Sequence, residues 1–222
     1  MEKKTRLKVA VVGSTGLVGG ETLKALSQNS EIEEIIALSR RAFDPKLEKV
    51  KVTQVDFKKE TEIQSALEGI NHIFMAIGTT QKKVNGNKEL YREIDYGIPL
   101  RIAENAPKNL RSYHLVSAIG AKKTASNFYL QLKGEIEEAL KNQEGFKLYI
   151  YRPSFLLGDR KENRLGEKIG KVLAKSFAFL LPSPYKPVQA KTLAQAMVYN
   201  AIHEAEPGVY TYPEIIGQAK RV

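Results

Sequence analysis

Tyr129 and Lys133 stand four residues apart in Tyr129-Leu130-Gln131-Leu132-Lys133, a spacing that puts both side chains on one face of a helix. A free phenol loses its proton near about pH 10, too high for acid–base work at neutral pH. An ammonium beside it favours the phenolate, so the pair has the make-up of a general acid–base with a tuning partner. Lys133 could also bond the ribose next to a nicotinamide. The same spacing occurs as a packed tyrosine beside a solvated lysine. Its place favours chemistry: the run follows an apolar stretch, Tyr113 to Ser117, whose carboxyl end should open on a ligand crevice.

A second candidate lies near the start. Val9-Ala10-Val11-Val12 runs into Gly13-Ser14-Thr15-Gly16-Leu17-Val18-Gly19-Gly20, which reads as a buried strand, a glycine-rich turn and a helix. Gly13 lets the chain turn sharply, Gly16 clears the backbone for a phosphate, and Gly19 lets the helix pack close to the strand. The free N–H groups and positive end of that helix then face an anion. Gly13, Ser14, Thr15, Gly16, Leu17 and Val18 are therefore candidate dinucleotide contacts. The spacing is Gly-x-x-Gly-x-x-Gly rather than the commoner Gly-x-Gly-x-x-Gly, and such a stretch is often only a turn.

The neighbouring strand ends fill in the same pocket. The second strand ends in Leu38-Ser39-Arg40-Arg41, without the Asp or Glu that accepts from the adenosine ribose in NAD sites. Two guanidiniums suit a 2′-phosphate instead, so NADP(H) is expected in preference to NAD(H); the alternative is an exposed basic turn. Asp56-Phe57, ending the third strand, should lie by the adenine, with Asp56 accepting from its amino group, capping a helix, or both. Ala76-Ile77-Gly78-Thr79, ending the fourth, are small enough for a cofactor to lie against the backbone.

These residues need a scaffold, and the patterning supplies one. Strand-like runs at Leu7–Val12, Ile35–Leu38, Val50–Val55, His72–Ile77, Tyr113–Ser117 and Phe146–Tyr151 alternate with helical patterns at Leu17–Ser27, Glu60–Leu67, Asn87–Ala106 and Ser126–Asn142. The fold class is α/β, a Rossmann-like doubly wound parallel sheet with helices on both faces. Residues 1–222 read as one dinucleotide-binding domain. From 152 to 222 the pattern changes: Pro182, Pro184 and Pro187 cluster, amphipathic helices are expected over Leu165–Leu180 and Ala190–His203, and Gly208–Ile216 could hold a last strand. That part is expected to form a small substrate-side lobe.

Composition removes other chemistries. The 222 residues are 42% hydrophobic and 27% charged, as in a folded chain with one main core. With no cysteine, disulfides and thiolate chemistry are excluded, and His72, His114 and His203 are too scattered to suggest a metal site. No apolar run approaches the roughly 20 residues that span a bilayer. Residues 1–6 lead straight into the first strand, so neither a signal peptide nor a membrane partner is expected, and a cytoplasmic location is the default. The net charge of +10 is spread among acidic residues rather than gathered in blocks, which argues against nucleic acid and suits an acidic small ligand. The helices at Asn87–Ala106 and Ser126–Asn142 could form a homodimer's four-helix contact or remain ordinary monomer surface.

The glycine turn, the Tyr129/Lys133 pair and Tyr151-Arg152-Pro153-Ser154 resemble the short-chain dehydrogenase/reductase superfamily, atypical branch. Leu115-Val116-Ser117-Ala118-Ile119-Gly120-Ala121, Ser126-Asn127-Phe128-Tyr129, Lys133-Gly134-Glu135 and Tyr151-Arg152-Pro153 are similar to the Tat-interacting-protein type of oxidoreductase. The resemblance spans about Lys8 to Tyr199. It implies an NADP-binding Rossmann domain, acid–base work by Tyr129 supported by Lys133, and pyrophosphate contacts at Gly13, Thr15, Gly16, Leu17 and Val18. It also implies that Pro153, Ser154, Phe155 and Leu156 meet the nicotinamide end. One departure stands out. The family places a serine that bonds the substrate oxygen at the end of the fifth strand, usually second in a Ser-Ser pair; here the pair is Ser117-Ala118. Ser117 takes that role, or the site lacks the group. The expected activity is reduction of a small carbonyl, or its reverse. The alternative is an NADPH-binding regulator or scaffold that acts through a protein partner.

Overall fold

The computed structural model describes residues 6–158 and 181–221. The chain alternates strand and helix: β1 (Leu7–Val12), α1 (Leu17–Ser27), β2 (Ile32–Ser39), β3 (Val50–Gln54), α2 (Glu60–Ala66) and β4 (His72–Met75). Then come α3 (Lys88–Arg92), a π turn (Glu93–Gly97), α4 (Ile98–Glu104), β5 (Ser112–Val116), α5 (Phe128–Lys141) and β6 (Lys147–Tyr151). Beyond these are β7 (Leu156–Leu157), β8 (Val188–Gln189), α6 (Ala190–Ile202), β9 (Gly208–Tyr210) and α7 (Tyr212–Ala219). The expected helix over Leu165–Leu180 lies outside the described residues.

Seven strands form one sheet in the order β3-β2-β1-β4-β5-β6-β9, every neighbouring pair parallel. This is the doubly wound arrangement expected from the patterning, extended by β9 at the β6 edge. All the carboxyl ends share one rim, and the order reverses between β1 and β4, where a crevice opens. Strand β1 shows why the sheet is covered twice. Val9 and Val11 point into a core with Leu23 and Leu26 of α1 and Leu193 and Met197 of α6. Ala10 and Val12 point into the opposite core with Ile63, Ile98, Ile102, Ile136 and Leu140. Each such side chain removed from water contributes about 1.5–3 kcal/mol before chain entropy is counted.

Three elements differ from expectation. Strand β2 begins at Ile32, three residues earlier than its apolar run, because Glu34 pairs in register with Lys8 of β1. The single helix expected over Asn87–Ala106 is a helix, a π turn and a second helix. Residues 190–221 join the main body: α6 packs in the α1 core, β9 pairs with β6, and α7 covers them. A separate two-stranded parallel sheet, β7 with β8, stands outside it.

Candidate functional site

The glycine turn leaves β1 at Gly13, whose φ of +88° is left-handed; a Cβ there would lie 2.6 Å from the carbonyl carbon and oxygen of Ala76 and from the Ile77 nitrogen. The turn is thus pressed against the end of β4, which places Ala76 and Ile77 beside it. A Cβ on Gly19 would meet the Gly13 oxygen at 2.2 Å, so α1 lies as close to the turn as backbone permits. Gly16 caps α1 in extended geometry with no side-chain bond to the first turn, which carries no acidic residue. The hydroxyl of Ser14, 4% exposed, has no partner among the described residues. Uncapped N–H groups and a buried, unused hydroxyl on a turn opened by Gly13 and Gly16 fit a phosphate. Leu17 lies below Gly158, so the chain after β7 returns over the turn.

On the adenine side, Arg40 and Arg41 are exposed at the end of β2, and neither guanidinium enters an ion pair among the described residues. The Ser39 hydroxyl accepts from the Arg41 N–H, and the Arg40 carbonyl accepts from Gln54. Asp56 is exposed and accepts from the Lys58 N–H at 3.0 Å. It does not cap α2, whose N-cap is Lys59, because the turn at 56–58 intervenes. Phe57 turns into the core, and its carbonyl accepts from Arg101 Nε at 2.7 Å.

The reactive side is built on α5. Asn127 caps it, accepting from the N–H groups of Tyr129 and Leu130, and holds Tyr129 in the first turn with its side chain 37% exposed. Lys133, one turn on, is 4% exposed. Its ammonium lies 3.4 Å from Asp95 Oδ1 and donates to the Val116 carbonyl at 3.5 Å. Asp95, 1% exposed in the π turn, also accepts from the Thr79 N–H at 2.8 Å, and Tyr91 donates to the Thr79 carbonyl. Asp95 thus links the loop after β4, the end of β5 and α5, bringing Gly78-Thr79 and Lys133 together. π turns inside helices recur at functional sites.

Ser117 follows β5, with its N–H bonded to the Tyr151 carbonyl at 2.7 Å. Its hydroxyl donates to Glu137 of α5, whose carboxylate also takes a bidentate grip from Arg152. Glu137 is 1% exposed, and the guanidinium of Arg152 packs on it. Exchange of the Glu137 bond is therefore required before Ser117 can donate to a substrate oxygen. The loop after β6 carries Pro153, whose carbonyl accepts from the Ile119 N–H, and Ser154, whose hydroxyl donates to the Lys186 carbonyl. Phe155 is 68% exposed, and Leu156 is half-buried in the small sheet.

Asp95 and Glu137 were absent from the sequence candidates. Each interrupts a buried face: Asp95 falls among Tyr91, Ile94, Ile98 and Ile102, and Glu137 among Leu132, Ile136 and Leu140. A carboxylate on a buried stripe is the signal that could have marked them, since a buried charge requires a partner. Among the described residues, no group of three or more potential ligands could hold a metal ion, and no helix is long and apolar enough to cross a membrane.

Known proteins resemble this chain in sequence and in fold. Residues 8–93 match the family model described as semialdehyde dehydrogenase, NAD binding domain. Protein FMP52, mitochondrial, from Meyerozyma guilliermondii is 32% identical over 220 residues, covering 95% of this chain and 90% of its own. Protein HTATIP2 from Rattus norvegicus is 30% identical over 207 residues, covering 90% and 83%. Among solved structures, the UDP-N-acetylglucosamine 4-epimerase of Methanobrevibacter ruminantium M1, in complex with UDP-N-acetylmuramic acid, superposes with a TM-score of 0.71 over 96% of this chain and 81% of that one. At 15% identity it is a likeness of fold alone.

Proposed function

Because this chain belongs to the family of FMP52 and HTATIP2, an atypical branch of the short-chain dehydrogenase/reductases, we propose that it is an NADPH-dependent reductase of a small carbonyl compound, or the dehydrogenase of the corresponding alcohol. One observation carries this: the uncapped start of α1 at Gly16, with the unused Ser14 hydroxyl, shares the crevice rim with the buried Lys133–Asp95 pair. When bound, the dinucleotide supplies the two-electron chemistry. The residues around it bind and move protons. Gly13 to Val18 receive the pyrophosphate, Ala76 to Thr79 give the ring a flat floor, and Asp56 and the backbone of Phe57, whose ring is in the core, border the adenine. Arg40 and Arg41 pair with the 2′-phosphate. Tyr129 gives its phenolic proton to the oxygen of the reduced carbonyl. Lys133, fixed by Asp95, supplies positive charge beneath it, and Ser117 positions the oxygen after leaving Glu137. Pro153 to Leu156 and the β7–β8 sheet form the substrate-side lobe.

Calorimetric titration with NADPH and with NADH is the test. Preference for NADPH, lost in Arg40→Ala/Arg41→Ala, is expected; equal weak binding of both would overturn the assignment. A carbonyl panel should then find turnover that Tyr129→Phe removes without loss of cofactor.

The bond from Ser117 to Glu137 and the alanine at 118 favour a second reading, an NADPH-binding regulator that works through a protein partner. In that case Tyr129→Phe leaves function intact. A homodimer through the α3–α4 and α5 helices is checked by sedimentation. A cytoplasmic location, against the mitochondrial one in the FMP52 name, is checked by fractionation.

A further inference from the structure

A buried polar chain runs from α6 to the amino ends of β5 and β4. Asn200 Nδ2 donates to the Tyr151 hydroxyl at 2.9 Å, and that hydroxyl meets His114 Nδ1 at 3.1 Å. Ser112 Oγ lies 2.7 Å from His114 Nε2 and 2.7 Å from His72 Nδ1. All five residues are buried.

The tautomers set the direction of these bonds; with Asn200 Nδ2 as the donor, one proton count satisfies every link and leaves Asn200 Oδ1 without a partner among the described residues at the far end. The Tyr151 oxygen accepts from Asn200, so its single proton goes to His114 Nδ1. His114 then carries its own hydrogen on Nε2 and donates to Ser112. Ser112 donates to His72 Nδ1, which leaves the His72 hydrogen on Nε2. Burial, then the Arg111 charge, pushes the His72 imidazole down to about 4, and burial pushes His114 well below its usual value, so both rings are neutral at pH 7. His72 Nε2 has no partner among the described residues. The chain therefore ends in a buried donor with nothing to receive it, a costly arrangement.

His72 lines a cavity of about 250 Å³ at the amino rim, where His72, Ser112 and Lys147 open β4, β5 and β6. The glycine turn and α5 site lie at the opposite rim. Arg111 and Lys147 flank the cavity, and both are held by one carboxylate, Glu204, at 3.7 and 3.3 Å. Two cations against one anion leave a positive excess beside an unused N–H, in a space that admits a group of several heavy atoms.

We propose that this cavity binds a small oxyanion, a phosphate or a carboxylate, through His72 Nε2–H with Arg111 and Lys147. The anion accepts the orphaned hydrogen bond and takes the two cations from Glu204, whose half-exposed side chain is free to swing into solvent. This site is independent of the dinucleotide reading, since none of its residues touches the crevice rim.

With only three histidines in the chain, imidazole nitrogen–proton correlation spectra can be assigned by single substitutions. Uniformly labelled full-length protein is titrated with inorganic phosphate, with acetate, and with sodium chloride at matched ionic strength. The expected result is the Nε2–H form of His72 in the free protein and a saturable shift of its Nε2 signal with phosphate, acetate or both, but not chloride. Phosphate alone or acetate alone names the ligand class. Arg111→Gln and Lys147→Gln should each weaken the effect about tenfold, the size of one charged hydrogen bond. Glu204→Gln, which removes the competing carboxylate, should strengthen it by a similar factor. An Nδ1–H form of His72, a response matched by chloride, or indifference to all three substitutions would overturn the proposal.

Discussion

Lys133→Met is the most informative single change. The parent holds an ammonium 4% exposed against a carboxylate 1% exposed, at 3.4 Å. Methionine fills much of the same volume but removes the ammonium from beside a buried carboxylate, to which the Thr79 N–H still donates. Removing one partner of a buried pair costs about 3–5 kcal/mol, because the survivor keeps its desolvation penalty. Converting Asp95 to Asn in the same chain removes that charge yet keeps an acceptor for Thr79, so Asp95→Asn/Lys133→Met should recover most of the loss. Urea unfolding of the parent, both single variants and the double variant gives the coupling directly. A cost below about 1 kcal/mol for Lys133→Met, or a double variant no more stable than it, would refute the buried-pair reasoning, since exposed pairs give values that small. NADPH titration of the double variant then separates the structural part of Lys133 from its part in cofactor binding.

Other changes read other parts of the molecule. A Cβ on Gly134 would lie 2.2 Å from the Lys122 carbonyl carbon, where ordinary contact begins at 3.4 Å, so α5 must move by about 1.2 Å. Gly134→Ala should cost about 1–3 kcal/mol by urea unfolding, and activity on any substrate found should fall about a hundredfold; unchanged stability would contradict the close approach. Gly13→Ala, blocked by Ala76 and by its positive φ, should abolish NADPH binding in calorimetry, and retained affinity would remove the turn from the site. His72 is held neutral in the fold and its pKa lies at about 4, against about 6.5 unfolded, so the unfolded chain binds the extra proton. Stability is therefore full above about pH 6.5 and falls as pH drops toward 4, by about 2 kcal/mol at pH 5 from His72 alone. Urea curves at pH 7 and pH 5 in a buffer without phosphate or carboxylate should show that slope in the parent and less of it in His72→Asn; equal slopes would contradict the assignment.

The main sheet was readable because its strands are short apolar runs between turns, and β1 and α1 have the bounds that their patterning implies. The start of β2 was hidden because Glu33 and Glu34 break the apolar run, while the Lys8–Glu34 pair that compensates is a tertiary contact. Strand β9 falls inside the Gly208–Ile216 stretch expected to hold a last strand, but only Gly208–Tyr210 pair with β6; from Tyr212 the chain is helix, started by the Thr211–Glu214 capping box. At the site, Tyr129, Lys133 and the glycine turn announce themselves by spacing. Asp95 and Glu137 do not, because their partners, Lys133 and Arg152, lie far away in sequence. The polar chain from His72 to Asn200 is equally invisible in one dimension: its five members come from four separate elements.

The π turn at Glu93–Gly97 also limits how this chain can change length. A wide turn holds one residue more than α-helical winding, so the helices on either side are out of phase. Tyr91 and Ile94 bury in a small cluster with Val84 and Leu132, Ile98 and Ile102 in the main core, and Asp95 sits between the two sets. Deleting one residue here would let the turn rewind as α-helix with both flanks near their present faces, but would take Asp95 off the wide turn and away from Lys133. Insertions and deletions should therefore be rare between Asn87 and Glu104 across descendants of this chain. They should collect in the exposed segment between β2 and β3, where no such phase is kept.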